Sequence, residues 1–274
     1  MGKSLIIMLV LVLLIALAVI LFLRSPLSAA LLKSKDHFLM HGKDARVMYE
    51  PGAEPYADAI ASHLPAAVET VEQAHGRPFK NPVTVYVCAT RKSCNEFMGQ
   101  PPGTPARGAS ILGNVFISPL AFSFRGQDTH AETLTHELSH LHIRQRLGYW
   151  GTKRLVPVWF HEGLANMVGG SGGEIVGDEE AIGAILAGKH FMPDGKGTII
   201  RMKKAHDYGL SYPMFHNQTR MFVRFMSDTY PDAFRTFLLD VQEGKPFAGS
   251  FSERFGKEIA AMWDEFEGYL RKTG

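Results

Sequence analysis

The sequence predicts an α+β protein with a small mixed sheet, surrounding helices and a helical C-terminal part, all behind one N-terminal transmembrane helix. Three observations predict this fold class: a long apolar run at the N-terminus, strand-like alternation in the first half, and helical periodicity in the last third. The chain has 274 residues, which suits one sizeable domain. Its net charge of +2 argues against a nucleic-acid partner.

The apolar run from Leu5 to Leu23 contains no charged residue. A membrane-spanning helix needs about 20 apolar residues, whereas a cleaved signal peptide has about 7–15. We therefore expect a signal anchor over residues 1–25 and a tether over residues 26–43. The small residues Ser28-Ala29-Ala30 keep a cleaved signal peptide open as the alternative. A single anchor usually exports the domain that follows, so residues 44–274 are expected on the periplasmic side of the cell membrane.

Strands and helices follow from periodicity and from turn residues. Val83 to Cys88 alternates as a strand does, and Arg107 to Leu112 with Val115 to Ser118 forms a predicted hairpin around Gly113-Asn114. The edge of that hairpin could bind an extended peptide as an added strand. A further short strand is predicted from Arg46 to Glu50. The predicted helices are 54–75, 93–98, 129–147, 155–166, 178–187, 216–230, 231–241, 250–255 and 257–271.

The two cysteines, Cys88 and Cys94, are close in sequence. In an oxidising compartment they could form a disulfide, and they could equally be two small buried residues. The sequence does not contain the geometry that decides between these alternatives.

A His-Glu-x-x-His motif, His136 to His140, lies inside the helix predicted from Thr129 to Leu147. Residues four apart share a helix face, so both imidazoles can bind one metal ion, and zinc is the usual choice. Glu137 is then placed to accept a proton from a water molecule. The alternative is an ordinary amphipathic helix that carries two histidines. Thr129 and Glu132 have the form of a capping box at its start.

A third candidate ligand, Glu162, lies in the next predicted helix among large apolar residues. A buried carboxylate needs a partner, and a metal ion is one. Asn166, one turn later, could hydrogen-bond to a ligand and fix its orientation. His161 is the rival ligand, and it must point elsewhere if Glu162 faces the metal. The glycine-rich segment from Met167 to Gly177 is expected to form a mobile rim.

These two blocks, His136-Glu137-x-x-His140 and Pro157-x-Trp159-Phe160-x-Glu162-Gly163-Leu164-Ala165, resemble the gluzincin-type zinc metallopeptidases, and most closely the peptidase MA-like family. The resemblance extends roughly from Arg46 to Leu270, although only the two blocks are specific. It implies a zincin-like domain with His136, His140 and Glu162 as zinc ligands and Glu137 as general base. The third histidine of the metzincins is absent, because Arg146 stands there.

The family usually places a Tyr or His to stabilise the oxyanion. Tyr208, Tyr212 and His216 are the candidates here, and His216 ranks slightly first by resemblance. Each of the three could instead be a packing or surface residue.

The resulting hypothesis is a membrane-anchored zinc metallopeptidase that hydrolyses a peptide or an unfolded protein segment. Its membrane contact would be the N-terminal helix, and its catalytic residues would be Glu137 with His216 or Tyr212. The alternative is a catalytically inactive zincin-fold protein that acts as a binding or scaffold protein at the membrane.

Overall fold

The computed structural model describes residues 2–23, 28, 32–170, 175–198 and 202–273. The α-helices are α1 (Lys3–Leu23), α2 (Glu54–His75), α3 (Arg91–Phe97), α4 (His130–Leu155), α5 (Val158–Gly169), α6 (Asp178–Leu186), α7 (Tyr212–Thr229), α8 (Pro231–Gln242), α9 (Phe247–Phe255) and α10 (Ile259–Thr273). The strands are β1 (Leu39–Met40), β2 (Val47–Tyr49), β3 (Val85–Val87), β4 (Gly108–Ile111) and β5 (Asn114–Ile117). The mixed helix and sheet content agrees with the α+β part of the predicted fold class.

The described strands form one five-stranded sheet in the order β1-β2-β3-β5-β4. Strands β2, β3 and β5 are parallel, while β1 and β4 are antiparallel to their neighbours. The predicted hairpin is present as β4 and β5, in which Ser110 pairs with Val115. Strand β4 is therefore an edge strand, as the peptide-binding hypothesis requires.

Apolar side chains form separate cores on the sheet and among the C-terminal helices. Buried residues of α2, including Ile60 and Leu64, pack with Val85 of the sheet and with Leu134 and Leu138 of α4. A smaller cluster with α3 includes Phe97 and Phe116 of β5. Helix α4 thus packs against the sheet on one side and contacts α5 on another.

The second core is aromatic and surrounds helix α5. Trp159 and Phe160 of α5 are almost fully buried, and they contact the rings of Phe222 and Phe237 respectively. Helices α7 to α10 supply most of the other members of this core. Burial of these large rings fixes α5 between α4 and the C-terminal helices, because each ring removes much apolar surface from water.

The regular turns of helix α4 are interrupted at Gly148, directly after Leu147, where the predicted helix ends. Gly148 has φ 71° and ψ 168°, and the chain then resumes helical turns as far as Leu155. The predicted capping box is wrong. Thr129 precedes the helix, but its hydroxyl donates to the carbonyl of Ala121 and no side chain caps the helix. A tertiary hydrogen bond has replaced the local one.

The predicted fold class is wrong in its transmembrane part. A bilayer core calls for about 20 consecutive apolar residues in a helix. None of the helices in the described part of the chain combines the length and the apolar character that crossing a bilayer would require. The predicted membrane contact and periplasmic localisation depend on that helix and stay predictions. Residues 29 and 30 of the predicted processing site lie outside the described residues.

Of the two alternatives for the cysteines, a disulfide or two separate buried residues, the structure contains the second. Cys88 and Cys94 are free and buried. They belong to the small core between the sheet and α3. In this structure the two cysteines therefore act as small apolar residues rather than as a crosslink.

Candidate metal centre

Two histidines project from one face of α4. His136 and His140 are four residues apart, and their ring centroids lie 4.6 Å from each other with the planes at 89°. His140 is buried and His136 is half-buried. Because both rings extend from consecutive turns, their Nε2 atoms face the same region in front of the helix.

The carboxylate of Glu162 on α5 meets both of these nitrogens. Its Oε2 atom lies 3.8 Å from Nε2 of His136 and 3.5 Å from Nε2 of His140. One ligand atom from each of the three residues lies within 4.8 Å of the other two. The structure therefore brings together the three residues that the sequence proposed as metal ligands.

Glycines allow the close packing that places Glu162 here. A Cβ atom on Gly163 would lie 2.5 Å from the carbonyl oxygen of Thr219 on α7. A Cβ atom on Gly169, at the end of α5, would lie 2.7 Å from the backbone nitrogen of His136. Helix α5 is thus in backbone contact with both α4 and α7, and no larger residue fits at either point.

Burial keeps the histidines neutral. Desolvation lowers the pKa of both His136 and His140 well below the ordinary value for histidine. The neighbouring His140 lowers the pKa of His136 further and Arg144 lowers that of His140, while the Glu162 carboxylate opposes the shift at His136. A neutral imidazole has a free lone pair on one nitrogen, which is the form that binds a metal ion. The two side chains are therefore in the protonation state that coordination requires.

Glu137 lies under the edge strand of the sheet. Its Oε2 atom accepts a hydrogen bond of 2.7 Å from the backbone N–H of Ser110 in β4. Burial raises the pKa of this carboxyl to about 7, although the nearby Arg144 guanidinium favours the charged form. A carboxyl group with a pKa near neutrality can both accept and return a proton.

His161 makes the contact that the sequence analysis expected of Asn166. The Nε2 atom of His161 lies 3.2 Å from Nδ1 of His140, and both rings are buried. This contact orients the His140 ring and leaves its Nε2 atom toward Glu162. The amide nitrogen of Asn166 is buried without a hydrogen-bond partner among the described residues, so the predicted contact to a ligand is not made.

The three candidates for stabilising the oxyanion occupy different positions in the structure. The Nε2 atom of His216 on α7 lies 3.7 Å from Oε2 of Glu162. Tyr212 lines the same cavity but is 55% exposed. Tyr208 donates its hydroxyl to the carbonyl of Met192 and packs against the aromatic core. His216 thus directly faces one of the proposed metal ligands.

A cavity of about 630 Å³ opens in front of these residues. Besides the predicted site residues, its walls include three arginines that the sequence analysis did not identify: Arg107, Arg144 and Arg220. Arg144 could have been found, because it follows His140 by four residues and must share its helix face. Ile175 and Val176 also line the cavity, while residues 171–174 of the predicted mobile rim lie outside the described residues.

No protein-family model matches this chain, and a search of curated proteins finds no significant match. The resemblance to gluzincin-type peptidases thus stays a hypothesis.

Proposed function

We propose that this chain is a zinc-dependent peptidase whose metal ligands are His136, His140 and Glu162. The observation that carries the proposal is the position of the Glu162 carboxylate, 3.5 and 3.8 Å from the two motif nitrogens. A carboxylate and two neutral imidazoles form a common donor set of catalytic zinc sites.

The spacing of the donor atoms supports zinc. Nitrogen and oxygen ligands lie about 2.0–2.2 Å from zinc, so two of them on a tetrahedral ion are roughly 3.3–3.6 Å apart. The distances from Glu162 to the two histidines are within a few tenths of an ångström of this range. Three protein ligands leave a coordination position for water or substrate, as catalytic sites require.

A zinc ion bound here would supply the Lewis acidity that lowers the pKa of a water molecule to about 7. Glu137 accepts the proton of that water as it attacks a peptide carbonyl, and then donates it to the leaving amine. The amide of Ser110 holds the Glu137 carboxylate in place during both transfers. His161 fixes the ring of His140 from behind.

His216 is proposed to stabilise the oxyanion. Its ring faces the same carboxylate oxygen as the two motif histidines, yet it is not part of the compact group formed by the three ligand atoms. An N–H donor beside the ligand group, rather than inside it, suits a developing negative charge on the substrate carbonyl. Tyr212 is exposed at the rim of the cavity, and we propose that it contacts the substrate without stabilising the oxyanion.

The test is hydrolysis of quenched fluorescent peptide pools by the purified chain. We expect cleavage that a chelator abolishes and that added zinc restores. Glu137→Gln keeps the shape of the side chain and an acceptor for the Ser110 amide but cannot accept a proton. It should lower kcat by about 10²- to 10⁴-fold with unchanged zinc content. Equal activity of wild type and this variant would refute the assignment of Glu137 as base.

A further inference from the structure

An arginine lies one helical turn beyond the proposed metal ligands. Arg144 follows His140 by four residues on α4, so it shares the face that carries both motif histidines. It lines the same cavity as Glu137 and Glu162. Its Nη1 atom donates a short hydrogen bond to the backbone carbonyl of Ser110 in β4, which holds the guanidinium against the edge strand.

This guanidinium retains unused hydrogen-bond donors. An arginine side chain has five N–H groups, and the bond to Ser110 uses one of them. Among the described residues no carboxylate forms an ion pair with Arg144, although the charges of Glu137 and Glu162 act on it from a longer distance. The ring of Tyr149 lies 6.0 Å from the guanidinium. Arg220, by contrast, is hydrogen-bonded to Asp178.

The edge strand cannot hold a peptide at the point where Arg144 lies. The N–H of Ser110 is bonded to Glu137, and its carbonyl accepts from Arg144. An extended peptide that pairs with β4 therefore loses its backbone partners at Ser110 and meets the guanidinium instead. The two carboxylates of the cavity have other partners nearby: Glu162 faces the histidines, and Oε2 of Glu137 accepts the Ser110 amide.

We propose that Arg144 binds a carboxylate of the substrate within about two residues of the cleaved bond. One helical turn is about 5.4 Å, and an extended peptide advances about 3.3 Å per residue, which sets this distance. A carboxylate matches the planar guanidinium and forms paired, charge-assisted hydrogen bonds with it. The carboxylate is either the C-terminus of a peptide or an Asp or Glu side chain. This inference rests on the proposed peptidase function.

The test compares three fluorescein-labelled peptide pools that have uncharged random positions. One pool has a free C-terminal carboxylate, the second has a C-terminal amide, and the third has the amide with Glu at the random positions. Binding to the zinc-loaded Glu137→Gln chain is measured by anisotropy, and cleavage by wild type is measured in parallel. We expect the first or the third pool to bind about 10- to 100-fold more tightly than the second.

The preference should disappear in Arg144→Met and shrink in Arg144→Lys, which keeps the charge without the paired donors. The control is Arg224→Met, which replaces an exposed arginine of α7. This variant should keep the full preference for the carboxylate-containing pool. Zinc content and the unfolding midpoint identify a variant that has failed to fold. If Arg144→Met fails to fold, the preference measured for Arg144→Lys tests the proposal. Equal binding of all three pools by the parent chain, or a preference that survives in both Arg144 variants, would overturn the proposal. Failure of the peptidase function would appear differently, as no cleavage of any pool by wild type.

Discussion

The backbone N–H of Ser110 donates a 2.7 Å hydrogen bond to Oε2 of Glu137. This bond links the edge strand of the sheet to the helix that carries the His-Glu-x-x-His motif. It fixes one carboxylate oxygen under β4, and in the proposed reaction the other oxygen is the one that accepts the proton of the water. The position of the carboxylate, and not only its charge, should therefore control activity.

Glu137→Asp tests this role of position. The shorter side chain keeps a carboxylate but withdraws it by about one methylene group, so it cannot reach both the Ser110 amide and the water. A displacement of about 1 Å can cost about 100-fold in rate. We expect kcat for peptide hydrolysis to fall by about that factor while zinc content is unchanged. An Asp variant as active as wild type would show that the Ser110 contact has no catalytic role.

His216 and Tyr212 should differ in their effect on the rate. His216→Phe removes the N–H donor beside Glu162, and we expect a loss of about 10²- to 10³-fold in kcat, the range seen when an oxyanion donor is removed. Tyr212→Phe removes a hydroxyl at an exposed rim and should change kcat less than the His216 substitution does. Steady-state kinetics of both variants with one peptide substrate make the comparison. The reverse order of effects would transfer the oxyanion role to Tyr212.

Gly163→Ala should destabilise the fold at the junction of α5 and α7. The added methyl group would lie 2.5 Å from the carbonyl oxygen of Thr219, and a backbone atom cannot easily move away. We expect the free energy of unfolding to fall by about 1–3 kcal/mol, as measured by denaturant titration.

Gly183→Ala on α6 is the matched control for that substitution. Nothing lies within 4 Å of the added methyl group, and alanine favours a helix over glycine. This variant should be more stable than wild type by about 0.5–1 kcal/mol. Equal effects of the two substitutions would contradict the packing described here.

His75 should make the protein sensitive to acid. Burial, followed by the effect of nearby His142, lowers the pKa of His75 well below its ordinary value. Below about pH 6.5 the unfolded chain binds a proton at this residue and the folded chain does not. The free energy of unfolding should therefore decrease as pH falls below 6.5, by at most about 1.4 kcal/mol per pH unit from this residue.

His75→Gln should reduce that slope, measured by denaturant titration between pH 7 and pH 5. Val71→Ala, in the same helix and fully buried, is the control. It should lower stability to a similar extent at every pH, because it removes no titrating group. A slope unchanged by His75→Gln would assign the acid sensitivity to other residues.

The metal-ligand candidates could be predicted from sequence because the information is local. His136 and His140 share a helix face by spacing alone, and Glu162 is marked by its apolar neighbours in the next helix. Arg144 carried the same local signal and could have been identified. The strand and helix segments near the site likewise follow from alternation and from turn residues such as Gly113 and Gly148.

Contacts between distant segments could not be predicted in this way. The bond from Ser110 to Glu137 depends on how the sheet edge packs against α4. The choice of His216 over Tyr208 depends on where α7 and the preceding turn, Ala205–Tyr208, pack in the fold. Asn166 was predicted to support a metal ligand, whereas the packing of α5 places His161 in that position. The transmembrane prediction relied on apolar composition, and no described helix meets the requirement.

The most direct test of the central claim is the zinc content of the purified chain by elemental analysis. Wild type should contain about one zinc ion per chain. His140→Ala and Glu162→Ala should lose or weaken it, whereas His206→Ala, an exposed histidine far from the ligand group in sequence, should retain it. The absence of zinc from wild type, even after reconstitution, would contradict the proposal of a zinc-dependent peptidase.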